Sequence, residues 1–227
     1  MIENTLFFGV TISLLSFALG NYIFKKTKLA IFNPLLLAII FTIIFLLIFN
    51  IDYEKYNEGA KYLSYLLTPA TICLAIPLYE KINILKKNVK AILASVLSSV
   101  IITCLVILTF TLIFKLSYIE YVSFLPKSIT TAIGMDVSKE LGGNVNLTVA
   151  IIIITGVIGN IVAPFICKIF KIKSPVAKGL AIGCSSHAVG TAKALEMGEI
   201  EGALSSLSIV VSGLLTVVIA PLFASIL

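Results

Sequence analysis

The only histidine of this chain, His187, stands in the run AKGLAIGCSSHAVGTAKALEMGEIE. Ser185 and Ser186 precede it, Gly183 and Gly190 frame it, and Thr191 and Lys193 follow. An imidazole titrates near neutral pH and can carry a proton or hold a ligand. Hydroxyls without water must find partners, and small residues let a helix break and backbones approach. Ser185, Ser186, His187, Gly190, Thr191 and Lys193 therefore read as part of a binding site, with His187 a candidate for proton coupling. A bland reading stays open, in which His187 only hydrogen-bonds between helices. A hydrolase is not expected. Gly183-Cys184-Ser185-Ser186-His187 puts histidine where the second glycine of a nucleophile elbow belongs.

A second cluster follows Pro126: Lys127, Ser128, Thr130 and Thr131. A proline near the first turn leaves open N–H groups, and one ammonium with three hydroxyls would complete an anion cradle. The alternative is a capped helix end with Lys127 in water. Asp136 lies in apolar company and is a second candidate proton carrier, or else an interfacial carboxylate. Thr68-Pro69 marks a helix discontinuity. Unwound there, it would face Ser185-Ser186 across a crossing of broken helices. Cys73, Cys104, Cys167 and Cys184 form no CxxC pair, so neither a metal site nor a cofactor is expected.

These residues sit in a chain of 227, of which 59% are hydrophobic and 12% charged. A soluble domain cannot hide so much apolar surface, so an integral membrane protein is expected, a single domain over residues 1–227. The net charge of +6 does not point to nucleic acid, because the lysines lie in short loops between apolar runs. All 17 basic residues are Lys. A bidentate Arg clamp is unavailable, so an anion must be shared among Lys, hydroxyls and backbone N–H groups.

Apolar runs at 5–24, 34–49, 62–79, 91–114, 146–167, 177–195 and 203–227 read as spans, the second barely long enough for a core of ~30 Å. Glu3 before the first run and Lys25, Lys26 and Lys28 after it disfavour a cleaved signal peptide. Residues 52–61 read as an outer loop. Residues 125–143 are more polar and are expected to be re-entrant rather than spanning. Lysines at 25–28, 81–90 and 168–178 predict cytoplasmic loops, and Glu196, Glu199 and Glu201 an external one. The similar surroundings of 60–95 and 177–206 suggest an inverted repeat, with halves 1–115 and 118–227. The expected fold is an all-α polytopic bundle of about 7–8 transmembrane or re-entrant helices with inverted repeats and broken helices. Ser95, Ser98, Ser99, Ser205 and Ser208 read as packing residues.

LLTPATICLAIPLY (66–79), LPKSITTAIGMDVSKELGG (125–143) and AKGLAIGCSSHAVGTAKALEMGEIEGALSSLS (177–208) resemble the LrgB/CidB/YohK family of bacterial membrane proteins. The likeness covers nearly the whole chain. One departure is Ala132, where the family pattern is expected to carry proline. The resemblance implies two functions. One is a holin-like or antiholin-like role, modulating murein hydrolases and lysis with a small LrgA/CidA-type membrane partner. The other is carriage of small monocarboxylates, as in related plastid glycolate and glycerate transporters. The residues favour the carrier, with Thr68, Pro69, Lys127, Ser128, Thr130, Thr131 and the His187 cluster as its binding set. The expected setting is the inner or plasma membrane, with the lipid bilayer around the chain and a homo-oligomer among the expected assemblies.

Overall fold

The structure, a computed structural model, describes residues 7–29, 32–66, 69, 72, 73 and 75–227. The chain divides into two compact units, 1–73 and 74–227. Among the described residues, four helices are long and apolar enough to cross a membrane: Phe8–Thr27, Val89–Phe114, Val145–Ile169 and Glu199–Ala224. The chain is an all-α, multi-pass membrane protein.

In the first unit, α1 (Phe8–Thr27) and α2 (Pro34–Ile48) form a helical hairpin. Asn33 starts α2, its Oδ1 accepting from the Leu35 and Leu36 N–H groups at 2.9 and 3.2 Å, and Pro34 takes the first helical position. Residues 52–61, read above as a loop, are mostly helical. α3 (Tyr53–Ala60) packs on α1, and the Tyr56 and Ser13 hydroxyls meet at 2.6 Å. A 3-10 helix, Lys61–Leu66, follows. Pro69 is exposed, and Thr68 and Thr71 lie outside the described residues.

The second unit begins with two short helices, α4 (Ala75–Glu80) and α5 (Ile82–Lys87). Of residues 62–79, read above as a span, the described parts include the 3-10 helix to Leu66 and most of α4. Next come α6 (Val89–Phe114), α7 (Tyr118–Phe124), α8 (Thr131–Glu140), α9 (Val145–Ile169), α10 (Pro175–Met197) and α11 (Glu199–Ala224). α11 is enclosed along most of its length, and its buried face is rich in small residues such as Ala203, Ser205, Ser208, Ser212 and Gly213. Lipid is as apolar as a side chain, so such helices associate by close packing rather than by expelling water.

α7 and α8 fold back on each other. Ser117 and Glu120 form a capping box that starts α7, and Pro126 disfavours its continuation past Leu125. The chain turns at 125–130 and climbs back as α8. At the open end of this hairpin, Thr148 of α9 donates to the Ser123 carbonyl at 2.9 Å and to Ser138 Oγ at 2.7 Å. The segment 118–143 thus enters and returns at the end where α9 begins, the re-entrant form expected for 125–143.

α10 is also a hairpin, and here the structure corrects the sequence reading of 177–195 as a span. His187 has φ 41° and ψ −142°, which reverses the chain. The arm 175–186 runs parallel to α11, with Gly179 against Glu201 and Gly183 against Ser205. The arm 188–197 runs back, with Thr191 on Ser205 at 2.7 Å and Leu195 against Gly202. Both ends of α10 therefore lie at one end of the bundle, the end where α6 and α11 begin and the lysines 168–178 cluster. The second unit contains an inverted pair: hairpin α7–α8 followed by α9, and hairpin α10 followed by α11, entering from opposite ends.

Candidate functional site

The two hairpin tips meet near mid-height of α9, at the level of Ile152 to Asn160. His187 caps one tip. Its ring lies against Gly156, where an added Cβ would come within 2.6 Å of Cε1 and 2.8 Å of Nε2. Only glycine leaves room for the imidazole there. Nε2 sits 2.9 Å from the Ile152 carbonyl, which can only accept, so the proton is on Nε2. Nδ1 takes no hydrogen bond from the described residues and keeps its lone pair in the neutral ring. Ser186, also buried, fits against Gly159.

A break of this kind is strained, because a non-glycine residue at positive φ costs about 1–3 kcal/mol. Three hydrogen bonds hold it: His187 Nε2 to Ile152, Thr191 Oγ1 to the His187 carbonyl at 2.9 Å, and Asn160 Nδ2 to the Val189 carbonyl at 2.7 Å. At about 1 kcal/mol net each, they offset the strain.

The other tip carries Lys127 and Ser128. Lys127 Nζ donates to Ser128 Oγ at 3.2 Å, and Ser128 is 7% exposed. The ammonium lies within electrostatic reach of the His187 ring and of the Cys104 thiol. Thr130 is the N-cap of α8 but makes no side-chain cap, so the first N–H groups of α8 stay open; Thr131 is half-buried beside it. Ser128 and Cys184, one from each hairpin, line a cavity of about 10 Å³ together with Val100, Thr103, Ser212 and Thr216. That is room for about one water.

Three short helical arms end near this point. The arm 175–186 arrives with its C-terminal end. α8 and the arm 188–197 depart, so both present N-terminal N–H groups and the positive ends of their dipoles to the centre. With Lys127 between them, the electrostatics of the centre favour a small anion.

The sequence-read residues fall into three groups. Lys127, Ser128, Thr130, Ser186 and His187 are brought together at the tips. Ser185 is exposed beside them, its Oγ 3.1 Å from that of Ser186. Gly190 and Thr191 serve the hairpin itself: Gly190 lies against Ser186 and Ile182, and fully buried Thr191 bridges His187 and Ser205. Lys193 lies towards the lysine end and pairs with Glu196 at 2.7 Å, away from the tips. Asp136 is exposed on α8. The sequence reading missed Thr103, Cys184, Ser212 and Thr216, whose helical spacing resembles packing. It also placed Ser95, Ser98 and Ser99 on a packing face, whereas they line an open cleft. No group of three or more His, Cys, Asp or Glu able to hold a metal occurs among the described residues.

Residues 13–226 match the LrgB-like family. The chain is 38% identical over 228 residues to the antiholin-like protein LrgB of Bacillus subtilis (strain 168), covering 99% of each chain. It is also 38% identical over 220 residues to the antiholin-like protein LrgB of Bacillus cereus (strain B4264), covering 96% of each. No solved structure matches.

Proposed function

The chain belongs to the LrgB-like family, and on that premise we propose that it is an antiholin-like protein of the inner or plasma membrane whose core carries small monocarboxylates such as pyruvate, glycolate or lactate. The relatives' names support the antiholin-like role, and more directly than anything supports transport. The carrier half rests on one observation: two half-helix N-termini converge with Lys127, Ser128 and His187 at mid-height of the bundle.

A carboxylate at this point would take N–H groups from α8 and from the arm 188–197, a hydroxyl from Ser128, and countercharge from Lys127. Without Arg, the load is shared rather than forked. His187 Nδ1, with a lone pair available, is the atom to gain a proton as substrate moves, which would couple flux to a proton gradient. Carboxylate flux of this kind alters the energised state of the membrane, which links the carrier to a role in lysis. A small LrgA/CidA-type membrane protein is the proposed partner.

The test is uptake of labelled pyruvate, glycolate and lactate into proteoliposomes of the purified protein, alone and with the small partner. Saturable uptake supports the carrier. Absence of uptake under both conditions removes it and leaves the antiholin-like role alone, to be read as a change in lysis when the gene is deleted.

A further inference from the structure

The hydroxyls of Ser95, Ser98, Ser99 and Thr103 share one face of α6 and line a cleft of about 390 Å³. Its other wall is the arm 175–186, through Ala177, Leu180, Ala181 and Cys184. The rest of the exposed surface of α6 is apolar: Leu93, Leu97, Ile101, Leu105, Phe110 and Leu112. Those residues suit lipid. Ser95 and Ser98 are also exposed on this wall, and Ser98 Oγ donates to the Ser95 carbonyl at 2.9 Å.

The cleft runs from Ser95 and Ala177, nearer the lysine end, to Thr103 and Cys184. The same two residues line the inner cavity with Ser128. Thr216, only 4% exposed, also lines that cavity. Outside, there is room for a small carboxylate. Inside, about 10 Å³ admits little more than one water. Lys86, Lys87 and Lys90 precede or begin α6, and Lys173 and Lys178 flank the start of α10. Their field concentrates anions at the mouth.

We infer that the cleft between α6 and the α10 hairpin is a water-filled entrance through which a small carboxylate reaches the hairpin tips from the lysine end, with the Thr103–Cys184 neck as its gate. The inference rests on the carrier reading. The structure is then a state open to the lysine end and closed beyond the neck. Passage requires the arm 175–186 to move away from α6.

Thiol accessibility tests this in the full chain, reconstituted in liposomes, with Cys73, Cys104 and Cys167 replaced by Ala. The probe is a membrane-impermeant anionic methanethiosulfonate. Added Ser98→Cys should react at least about tenfold faster than Leu97→Cys or Ile101→Cys, because reaction needs a hydrated thiolate, and native Cys184, buried at the neck, should react more slowly but measurably. Reaction should occur only from the lysine end, and pyruvate should slow it at Cys184. Equal rates at positions 98 and 97, or reaction from the opposite end, would overturn the entrance. Fast reaction that pyruvate, glycolate and lactate all fail to slow would overturn it as a ligand path, while the uptake assay judges the carrier separately. If the replaced background does not fold, mass-spectrometric mapping of the modified cysteine in the unaltered chain gives the same reading at Cys184.

Discussion

The Lys178 ammonium lies 3.9 Å from the Glu201 carboxylate, one in the first turn of α10 and the other in the first turn of α11. A spanning α10 would have put them on opposite sides of the membrane. Lys81, just after α4, likewise pairs with Glu199 at 2.6 Å. The glutamates that read as an external loop are thus partners of lysines at one end of the bundle.

Positions 173 and 199, each carrying a single cysteine on a Cys-free background, should therefore be labelled from the same side of the membrane. The lysines make that side cytoplasmic. Labelling of the two from opposite sides would restore a spanning α10.

Gly156→Ala should destabilise the tip of the α10 hairpin. The new methyl would meet the His187 ring at about 2.6–2.8 Å and Val189 Cβ at 3.0 Å, so the ring or the hairpin must shift. Overpacking of this kind costs about 1–3 kcal/mol. Thermal unfolding in detergent should show the loss, and uptake should fall with it. A variant as stable as the parent would mean that the ring is free to move aside.

Ser128→Ala should weaken monocarboxylate binding about tenfold or more, since a hydrogen bond to a charged group contributes about 1.5–3 kcal/mol. Ser225→Ala is the control, because that hydroxyl bonds only the Leu222 carbonyl at the exposed end of α11. Equal effects at the two positions would argue against a localised site.

His187→Gln keeps a donor for the Ile152 carbonyl but removes titration. Uptake should persist with its pH dependence flattened, because the amide does not titrate. Asp136→Asn, at an exposed position, should leave the profile unchanged. Gradient-driven uptake by His187→Gln with a normal profile would remove the histidine from coupling.

The long spans were legible because uniform apolarity over more than 18 residues has one meaning in a membrane chain. The polar character of 125–143 also gave away its return. The reversal at His187 was legible only as a break. The run 177–195 has the composition of a span, and no proline or glycine sits at the turning residue. The fold direction there is set by partners far away in sequence, Ile152, Asn160 and Ser205. For the same reason Lys193 looked like a ligand: its proximity to His187 in sequence is not proximity in space once the chain has turned back. Thr103 and Thr216 could not be found from spacing, because each looks like an ordinary small helix residue until the hairpins place a cavity beside it.

The arms of α10 are each about 15–18 Å long, well short of a bilayer core of about 30 Å. Neither can be handed to lipid as an independent span during synthesis. Gly179, Gly183 and Thr191 of the arms find their places only against α11, which is made after them. The hairpin completes its packing only once α11 is beside it, so its insertion depends on the helix made after it.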